Sequence, residues 1–295
     1  MNVLITGSSG FLGHNLIKTI KQEKQDWTIF GIDIKSSGNQ EINFINIDLL
    51  EKVSWGDILK ENNIDLIFHL TGVFHNIDNY SMMKINVLQT LSFFEEIRKT
   101  DQNTKILLIG SAAQYGRVDT KDLPITEDFI QNPTSFYGLT KKWQEEIALN
   151  YSTKYGIKSI CTRPSNFIGP GIAQILLPGY LTKVFSENKD LINIKISSKN
   201  DERDYIDAKD VCSALIKLSE EQKCYGEIFN ISSSELISNE KLIHLFAEIR
   251  KRNVNIEETN KNNNSKISLS NKKLKDYTNW EKQYNIKDSI KWCFE

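Results

Sequence analysis

Three residues suited to carbonyl chemistry stand near the middle of the sequence. Tyr137 and Lys141 are four positions apart in SFYGLTKKWQEE (135–146), which has the pattern of an amphipathic helix, and Ser111 ends the apolar run KILLIGS. Helical residues four apart lie on one face, about 5–6 Å apart at Cβ. A phenol, an ammonium and a hydroxyl brought together can orient a carbonyl oxygen and move a proton to it.

A phenol that exchanges a proton at neutral pH needs help, because a free tyrosine titrates near 10. A downward shift of about three pKa units corresponds to about 4 kcal/mol. We expect the Lys141 ammonium and a positive nicotinamide ring to favour the phenolate of Tyr137 together. Lys141 is also expected to bond the nicotinamide ribose.

The glycine-rich segment GSSGFLG (7–13) directly follows the first predicted strand and opens the first predicted helix. Gly7 allows a tight turn, Gly10 lets the main chain approach a diphosphate, and Gly13 permits close packing of helix on strand. With a strand before it and a helix after it, the motif predicts dinucleotide binding.

Two acidic residues bear on the choice of dinucleotide. Asp33 ends the second predicted strand, where a carboxylate accepts hydrogen bonds from a ribose diol and repels a 2′-phosphate. We therefore predict NAD, bound as NADH for reduction, although Lys35 can offset the repulsion and NADPH is not excluded. Asp48 follows the next apolar stretch and can meet the adenine end, or it can be a helix-capping residue.

Apolar runs and helix-like segments alternate through the first half of the chain. The runs are apolar on both faces, as in a parallel sheet covered on each side, and lie at 2–6, 27–33, 65–70, 105–110 and 157–164. The helix-like segments lie near 11–22, 52–62, 80–99 and 136–154. We predict an α/β fold with a Rossmann-type doubly wound parallel sheet, whose ligands lie beyond the carboxyl ends of the strands.

The pattern becomes less regular after Pro164, which suggests a second part of the chain. We expect a dinucleotide-binding domain of residues 1–164 plus about 203–222, with YID (205–207) and a helix at 208–220 returning to the sheet. Residues from about 165 to 202 and from 223 to 295 then form a smaller, mixed α/β substrate lobe. Inside that lobe the Asn- and Lys-rich stretch 258–275 is expected to be a solvated, mobile connection.

Composition argues against several classes of protein. Lys and Arg total 37 against 38 Asp and Glu, so no net basic field attracts nucleic acid or an anionic membrane. No run reaches the roughly 18 apolar residues of a membrane span, and the chain begins with a strand-like run where a secretory signal needs a charged start. The four cysteines lack metal-ligand spacing, so we expect no metal site and reduced thiols in the cytoplasm.

Six motifs carry a family resemblance over nearly the whole chain: GSSGFLG, Asp33, SAAQYG, YGLTK, RPSNFIGPG and RDYIDAKDV. In this order they resemble the extended short-chain dehydrogenase/reductases that act on nucleotide sugars. GEIFNISS and the closing LKDYTNWEKQYNIKDSIK are most similar to reductases of nucleotide-linked 4-keto-6-deoxyhexoses. The resemblance implies NAD(P)H-dependent reduction of the C4 ketone in deoxysugar biosynthesis, by a homodimer joined through helices.

The resemblance also implies roles for the reacting residues. Ser111 takes the place of a substrate-orienting hydroxyl, and Tyr137 with Lys141 matches the YxxxK pair. Asn86 matches an amide that anchors the fold near the cofactor, although a satisfied core amide is the alternative. Pro164 matches a position whose main chain neighbours the nicotinamide.

Substrate contacts follow from the same resemblance. Asn166 matches a residue at the sugar nucleotide's diphosphate, and Arg203 matches one at its phosphate or ribose; a surface Arg203 paired with Asp204 is the alternative. Thr71 and Gly72 depart from the small apolar residues that members often carry after the HL pair. The remaining predicted cofactor contacts are Phe11, Leu12, Leu49 and Leu70.

Three other functions use parts of this set of residues. A 4-epimerase has the same Ser, Tyr and Lys but keeps one NAD bound, and it stays open as the alternative to a reductase. A 4,6-dehydratase needs an acidic pair after the serine, where this chain carries Ala112 and Ala113. A non-catalytic dinucleotide sensor needs the glycine loop but none of the three reacting side chains.

Overall fold

A central parallel sheet and a smaller second lobe make up the computed structural model, which describes residues 1–36, 38, 41–100, 103–260 and 264–295. The strands are β1 (Asn2–Thr6), β2 (Thr28–Asp33), β3 (Asn43–Asn46), β4 (Leu66–His69), β5 (Lys105–Ile109), β6 (Ser159–Pro164), β7 (Asn166–Ile168), β8 (Leu191–Ile196), β9 (Glu202–Asp207), β10 (Ile228–Ile231), β11 (Leu236–Ser238), β12 (Asn253–Glu258) and β13 (Lys266–Ile267).

The helices lie between these strands. They are α1 (Phe11–Glu23), α2 (Trp55–Glu61), α3 (Asn79–Met83), α4 (Gln89–Thr100), α5 (Phe136–Tyr155), α6 (Leu177–Ser186), α7 (Ala208–Glu220), α8 (Asn239–Arg250), α9 (Lys272–Thr278) and α10 (Ile286–Trp292). A π-helical turn, Lys84–Leu88, joins α3 to α4, and a short 3₁₀ turn, Ala112–Gln114, follows β5.

The central sheet has the order β10-β6-β5-β4-β1-β2-β3, and its strand pairs are parallel. The chain builds outward from β1 to β3 and then crosses back to β4 on the other side of β1. This reversal makes a topological switch point at the carboxyl ends of β1 and β4, where open α/β sheets bind their ligands. The predicted doubly wound parallel sheet is confirmed.

Helices cover both faces of this sheet because its strands are apolar on both sides. On one face α1 and α7 pack over the sheet through Leu16, Ile20 and Leu215, which are fully buried. On the other face α2, α4 and α5 enclose a second core that includes Trp55 and Phe93. The sheet is therefore the middle layer of three, and its carboxyl edge stays open.

The second lobe is a mixed α/β unit with its own core. In it β9 pairs in parallel with β7 and β13 and antiparallel with β11, while β8 pairs in parallel with β12. Helices α6, α8 and α10 pack on these strands around a core that includes Phe185, Ile194, Phe246 and Ile290. The predicted mixed character of this lobe is confirmed.

The expected domain boundaries need correction at two points. The strand that contains YID (205–207) does not return to the central sheet, because β9 lies in the second lobe; only α7 packs on the central sheet. At the edge of the central sheet β10 pairs with β6. It therefore does not belong to the substrate lobe, where residues 223–295 were all expected. Phe229 and Ile231 of β10 are fully buried in the central core, which explains this placement.

The stretch 258–275, expected to be a mobile connection, contains ordered structure on both sides of residues 261–263, which lie outside the described residues. It includes β13 and the start of α9. Leu269 is fully buried against Tyr115 and Ile125, so its apolar side chain fixes this segment. Further along, Trp280 packs in the central core. The polar composition of the stretch suggested a mobile segment, although the buried Leu269 anchors it.

Asp204 ties three segments of the second lobe together from a fully buried position. Its carboxylate accepts hydrogen bonds from the Ser165 hydroxyl, from the main chain and hydroxyl of Ser233, and from the Ser234 main chain, at 2.7–3.1 Å. These donors belong to the turns after β6 and β10. One side chain thus fixes how the second lobe joins the central sheet.

We expect Asp204→Ala to lower the free energy of unfolding by about 3–5 kcal/mol, because several buried donors lose their acceptor at once. Asp190→Ala is the matched control: this carboxylate is fully exposed and lies 3.7 Å from Arg252. The control should change stability by less than about 0.5 kcal/mol. Urea unfolding of the three proteins measures both values, and equal losses in the two variants would contradict the role of Asp204.

Candidate functional site

The glycine loop closes tightly between β1 and α1. Gly7 has φ +70°, which favours glycine, and its N–H donates to the Ile32 carbonyl oxygen at 2.9 Å. A Cβ on Gly13 would lie 2.3 Å from the Gly7 oxygen and 2.8 Å from Ser8 Cα, so only glycine fits there. A Cβ on Gly10 would lie 3.2 Å from the same oxygen. The loop is thus shaped by the glycines that the sequence singled out.

This loop leaves the start of α1 open to an anion. No side chain caps the helix, and its first turn carries no acidic residue. The first N–H groups of α1 therefore meet no side-chain acceptor from the Gly10 cap or from an acidic residue of the first turn, and together with the helix dipole they suit a diphosphate. The side-chain oxygen of Ser8 is buried without a hydrogen-bond partner within the described residues. The residues present therefore fit the expected dinucleotide.

Asp33 lies beside the glycine loop at the carboxyl end of β2. Its Oδ2 accepts from the Ser9 N–H at 3.0 Å and its Oδ1 from the Ile34 N–H at 2.8 Å. The carboxylate is partly exposed, so it can still accept from a ligand. Asp48 instead accepts from the Leu50 N–H at 2.8 Å, which stabilises a turn at the end of β3.

The apolar residues predicted to contact the cofactor have mixed surroundings. Leu12 and Leu49 are buried in the cores on opposite faces of the sheet. Phe11 packs against Phe167, with ring centroids 5.9 Å apart. Leu70 is partly buried just past β4, at the switch point. The main chains of these residues lie near the carboxyl edge of the sheet, whereas their side chains mostly pack into the protein interior.

Helix α5 presents Tyr137 and Lys141 to the ends of β5 and β6. The helix begins at a capped end, where the Ser135 hydroxyl accepts from the Gly138 N–H at 3.0 Å. Lys141 is 2% exposed, and its Nζ donates to the Ile109 carbonyl oxygen at 3.0 Å. Ile109 ends β5, two residues before Ser111. The structure thus places Ser111, Tyr137 and Lys141 in one region, where the sequence analysis expected them.

Ser111 is set to donate a hydrogen bond. Its Oγ accepts from the Ala113 N–H at 3.1 Å, in the 3₁₀ turn that begins just after it. Because that bond uses a lone pair of the oxygen, the hydroxyl hydrogen can turn towards an acceptor such as a carbonyl oxygen. The same hydroxyl interacts with the Tyr137 phenol.

The protonation states differ from those the sequence argument required. Burial raises the pKa of Tyr137 to about 12, and the interaction with Ser111 only partly opposes this. Burial also lowers the pKa of Lys141 to about 7. The expected lowering of the phenol's pKa by Lys141 is thus absent from the protein's own groups, because the ammonium is desolvated and bonded to Ile109. The phenol is held in its protonated form.

Asn86 sits in the π-helical turn and joins two parts of the site. Its Oδ1 accepts from the Val73 N–H at 2.9 Å, and its Nδ2 donates to the Val73 oxygen and to the Thr140 hydroxyl, each at 3.0 Å. Val73 lies in the loop after β4, and Thr140 lies on α5. Asn86 therefore holds that loop against the helix that bears Tyr137.

Gly72 and Phe74 are residues of the site whose roles the sequence argument missed. A Cβ on Gly72 would lie 2.6 Å from Lys141 Nζ, so this glycine makes room for the buried ammonium. Phe74 lies with its ring centroid 5.8 Å from that of Tyr137 and is 37% exposed. In the sequence, a glycine and an aromatic residue shortly after the end of β4 were the signals that could have pointed to these roles. The roles themselves depend on the position of α5, which a local pattern does not give.

Pro164, the predicted neighbour of the nicotinamide, is buried at the end of β6. The predicted substrate residues lie on the neighbouring strands β7 and β9. Asn166 is exposed at the start of β7, where its Nδ2 donates to the Asp204 main chain at 3.3 Å. Arg203 on β9 donates to the main chain and hydroxyl of Ser265, both at 2.7 Å.

Arg203 has a different acidic neighbour from the one considered. Its guanidinium lies 3.5 Å from the Asp201 carboxylate, while Asp204 points into the buried cluster described above. The alternative reading of Arg203 as a partner of Asp204 is therefore wrong. Arg203 is tethered within its own lobe, and its side chain remains 25% exposed.

Metal-binding clusters and membrane-spanning helices are both absent from the part of the chain that the structure describes. No group of three or more His, Cys, Asp or Glu side chains there is arranged to hold a metal ion. In the same part of the chain, none of the helices combines the length and apolar character needed to cross a bilayer.

The buried Lys141 predicts a pH dependence of stability for the protein without dinucleotide. We expect the free energy of unfolding of the wild type to rise relative to that of Lys141→Met between about pH 7 and pH 10.5. In this window the unfolded lysine is protonated while the folded one loses its proton, so the unfolded state binds more protons and stability rises with pH. Urea unfolding of both proteins across the window measures the difference, and a difference independent of pH would count against a desolvated Lys141.

Comparison with known proteins extends this picture. Residues 3–232 match the model of the NAD dependent epimerase/dehydratase family. The GDP-6-deoxy-D-mannose reductase of Pseudomonas aeruginosa is 25% identical over 300 residues, which cover 98% of this chain and 94% of the relative. The dTDP-4-dehydro-6-deoxyglucose reductase of Escherichia coli is 31% identical over 82% of this chain and 79% of the relative.

A solved structure shares the whole fold. RMD from Pseudomonas aeruginosa, complexed with NADPH, superposes with a TM-score of 0.86 at 25% identity, over 99% of this chain and 96% of that chain. The family match spans well over half of the sequence and includes the glycine loop, Ser111, Tyr137 and Lys141. The chain belongs to the NAD dependent epimerase/dehydratase family.

Proposed function

We propose that the protein reduces the C4 ketone of a nucleotide-linked 4-keto-6-deoxyhexose with NAD(P)H. The observation that carries this proposal is geometric: the Tyr137 phenol and the Ser111 hydroxyl interact directly at the open carboxyl edge of the sheet, and Lys141 is bonded to the end of β5 beside them. Reduction of a ketone consumes a proton, and a phenol with a raised pKa still carries one at neutral pH. The names of the two relatives described above support this substrate class.

In the proposed reaction the bound dinucleotide supplies a hydride to C4 of the sugar. Ser111 donates a hydrogen bond to the carbonyl oxygen, O4, and so fixes its position. Tyr137 gives its phenolic proton to O4 as the C–O double bond becomes a single bond. Lys141 holds the end of β5 through its bond to the Ile109 carbonyl oxygen, and its remaining N–H groups would bond the nicotinamide ribose. The proton lost by Tyr137 is replaced from solvent before the next turnover.

The second lobe is proposed to bind the nucleotide part of the substrate. Asn166 is exposed on β7, and Arg203 is partly exposed on the adjacent strand β9, two residues before Tyr205, which pairs with Asn166. An amide and a guanidinium suit a diphosphate, and a planar guanidinium can make paired bonds with it. The proposed dinucleotide domain comprises residues 1–164, α7 and β10. This division differs from the expected one in the placement of β9 and β10.

A 4-epimerase is the alternative, because the family includes epimerases and uses the same Ser, Tyr and Lys. Incubation with NADH and the GDP- or dTDP-linked 4-keto-6-deoxyhexoses distinguishes the two. Stoichiometric oxidation of NADH supports the reductase, and interconversion of nucleotide sugars without net oxidation supports the epimerase. Ala112 and Ala113, which cannot carry a proton, weigh against a dehydratase.

We further propose a cytoplasmic homodimer. The four cysteines are free and buried, as expected for a reducing compartment. Leu88, at the end of the π-helical turn, is 48% exposed, and Leu91, on α4, is 38% exposed. An apolar helix surface of this kind suits packing against a second copy.

Tyr137→Phe is expected to lower turnover by a factor on the order of 10²–10⁴, because the variant keeps the ring but has no proton to give. Dinucleotide binding should stay close to that of the wild type. Tyr155→Phe, near the end of the same helix, is the control and should keep full turnover. Turnover follows from NADH oxidation, and binding from quenching of protein fluorescence. Wild-type turnover in Tyr137→Phe would remove Tyr137 as the proton donor.

Asp33→Asn tests the proposed preference for NADH. The amide keeps an acceptor for the Ser9 N–H but removes the negative charge that opposes a 2′-phosphate. We expect the ratio of kcat/KM for NADH to that for NADPH to fall by about tenfold or more. Asp65→Asn at the opposite edge of the sheet, where the carboxylate accepts from the Asn2 N–H at 2.8 Å, should leave the ratio unchanged. An unchanged ratio in Asp33→Asn would mean that another residue selects the dinucleotide.

A further inference from the structure

A buried chain of hydrogen bonds runs from the Ser111 main chain to an ion pair in the protein interior. The Ser111 N–H donates to Gln114 Oε1 at 2.8 Å, and Gln114 Nε2 donates to Glu145 Oε2 at 3.0 Å. Gln114 is fully buried, and Glu145 is 1% exposed. A Cβ on Gly110 would lie 2.4 Å from Gln114 Oε1, so that glycine leaves room for the amide. The reaction scheme above gives Ser111 a task, but it gives none to Gln114 or Glu145.

The far end of this chain is held from several sides. Arg163 binds Glu145 through two hydrogen bonds, from Nε at 2.8 Å and from a terminal nitrogen at 2.7 Å. The other terminal nitrogen donates to the Tyr115 hydroxyl at 2.8 Å. Gln131 Nε2 donates to Glu145 Oε1 at 2.6 Å. With each oxygen of Glu145 accepting two bonds, the carboxylate has one orientation available to it.

Glu145 also lies on the helix that carries the proposed proton donor. Tyr137, Lys141 and Glu145 follow one another at intervals of four residues on α5, so they lie along one face at steps of about 6 Å. Gln114 therefore ties the main chain of Ser111 to the same rigid helix that positions the Tyr137 phenol. The Lys141 bond at Ile109 and the close packing of Gly138 on the Ala113 carbonyl oxygen also relate the two, but neither holds the Ser111 N–H.

We propose that Gln114 is a positioning residue, which fixes Ser111 relative to Tyr137 by linking the Ser111 N–H to the Glu145–Arg163 ion pair. This inference rests on the proposed reduction for its functional consequence. The geometric link itself does not depend on which reaction the protein catalyses. The two can be tested separately.

Amide hydrogen exchange tests the link without any substrate. In Gln114→Met, which keeps the length of the side chain but neither bonding group, the Ser111 amide should exchange about tenfold faster. Gln131 is unsuitable as a control, because its Oε1 accepts from Gln114 Nε2 at 3.1 Å. Gln144→Met is the matched control, since it removes a side-chain bond of another fully buried glutamine, from Nε2 to the Thr90 hydroxyl at 2.7 Å, that involves neither Ser111 nor Gln114. Exchange at Ser111 should stay at the wild-type rate in the control. Unchanged exchange in Gln114→Met overturns the link, whatever the protein's reaction.

Steady-state kinetics test the functional consequence. We expect kcat of Gln114→Met to fall by a factor on the order of 10 to 100, with KM for the nucleotide sugar changed by less than about threefold. A general structural loss would instead raise KM and lower the melting temperature equally in Gln144→Met. Equal losses of kcat in Gln114→Met and Gln144→Met would overturn the positioning role.

A double-mutant cycle adds a readout that a packing role cannot reproduce. If Gln114 acts through Ser111, Gln114→Met should lower kcat no further once Ser111→Ala is present. Additive losses overturn the proposal. Should Gln114→Met fail to fold, Gln114→Glu takes its place in the two kinetic measurements, because its carboxylate meets Glu145 with like charge and breaks the chain at the other end. Gln114→Leu takes its place in the exchange measurement, because it removes the acceptor of the Ser111 N–H. Absence of ketone reduction by the wild type would overturn the proposed function and leave the exchange result to decide the link.

Discussion

The contact of one face of α5 with the ends of β5 and β6 determines most of this site. Along that face Lys141 bonds the last carbonyl of β5, and Glu145 bonds Arg163 on β6. Both side chains are almost completely buried, so moving the helix would leave a cation or a carboxylate without its partners. Such a loss costs several kcal/mol in a protein interior. The helix therefore has one stable position, and Tyr137 at its open end inherits that position.

Burial within this contact has an electrostatic consequence. The same desolvation that fixes Lys141 lowers its pKa, and desolvation of the phenol raises that of Tyr137. The protein's own groups thus favour a neutral pair, which suits delivery of a proton to a ketone. A phenolate, needed when the reaction runs as an oxidation, has to be stabilised by charge from outside the chain. An oxidised nicotinamide bound beside Tyr137 would supply that charge.

The second lobe is joined to this arrangement by equally polar means. Asp204 gathers N–H and hydroxyl groups from the turns that follow β6 and β10, so the strands that lead into the second lobe leave the sheet at fixed angles. Arg203, its neighbour in sequence, faces Ser265 and Asp201 instead. Adjacent residues of a strand point to opposite sides, and here one side builds the junction while the other borders the proposed nucleotide site.

Much of this could be read from local patterns. The glycine spacing, the apolar runs and the four-residue interval between Tyr137 and Lys141 are short-range signals, because a turn, a buried strand and a helix face each depend on residues close in sequence. They sufficed for the parallel sheet and its carboxyl edge, and for bringing Ser111, Tyr137 and Lys141 to one region. What only the tertiary structure decided depends on partners distant in the chain: β10 at the sheet edge and β9 in the second lobe, Arg203 with Asp201, and Gln114 with Glu145. The pKa shifts also depend on the tertiary structure. They come from the groups that surround a side chain, and a sequence does not state which groups those are.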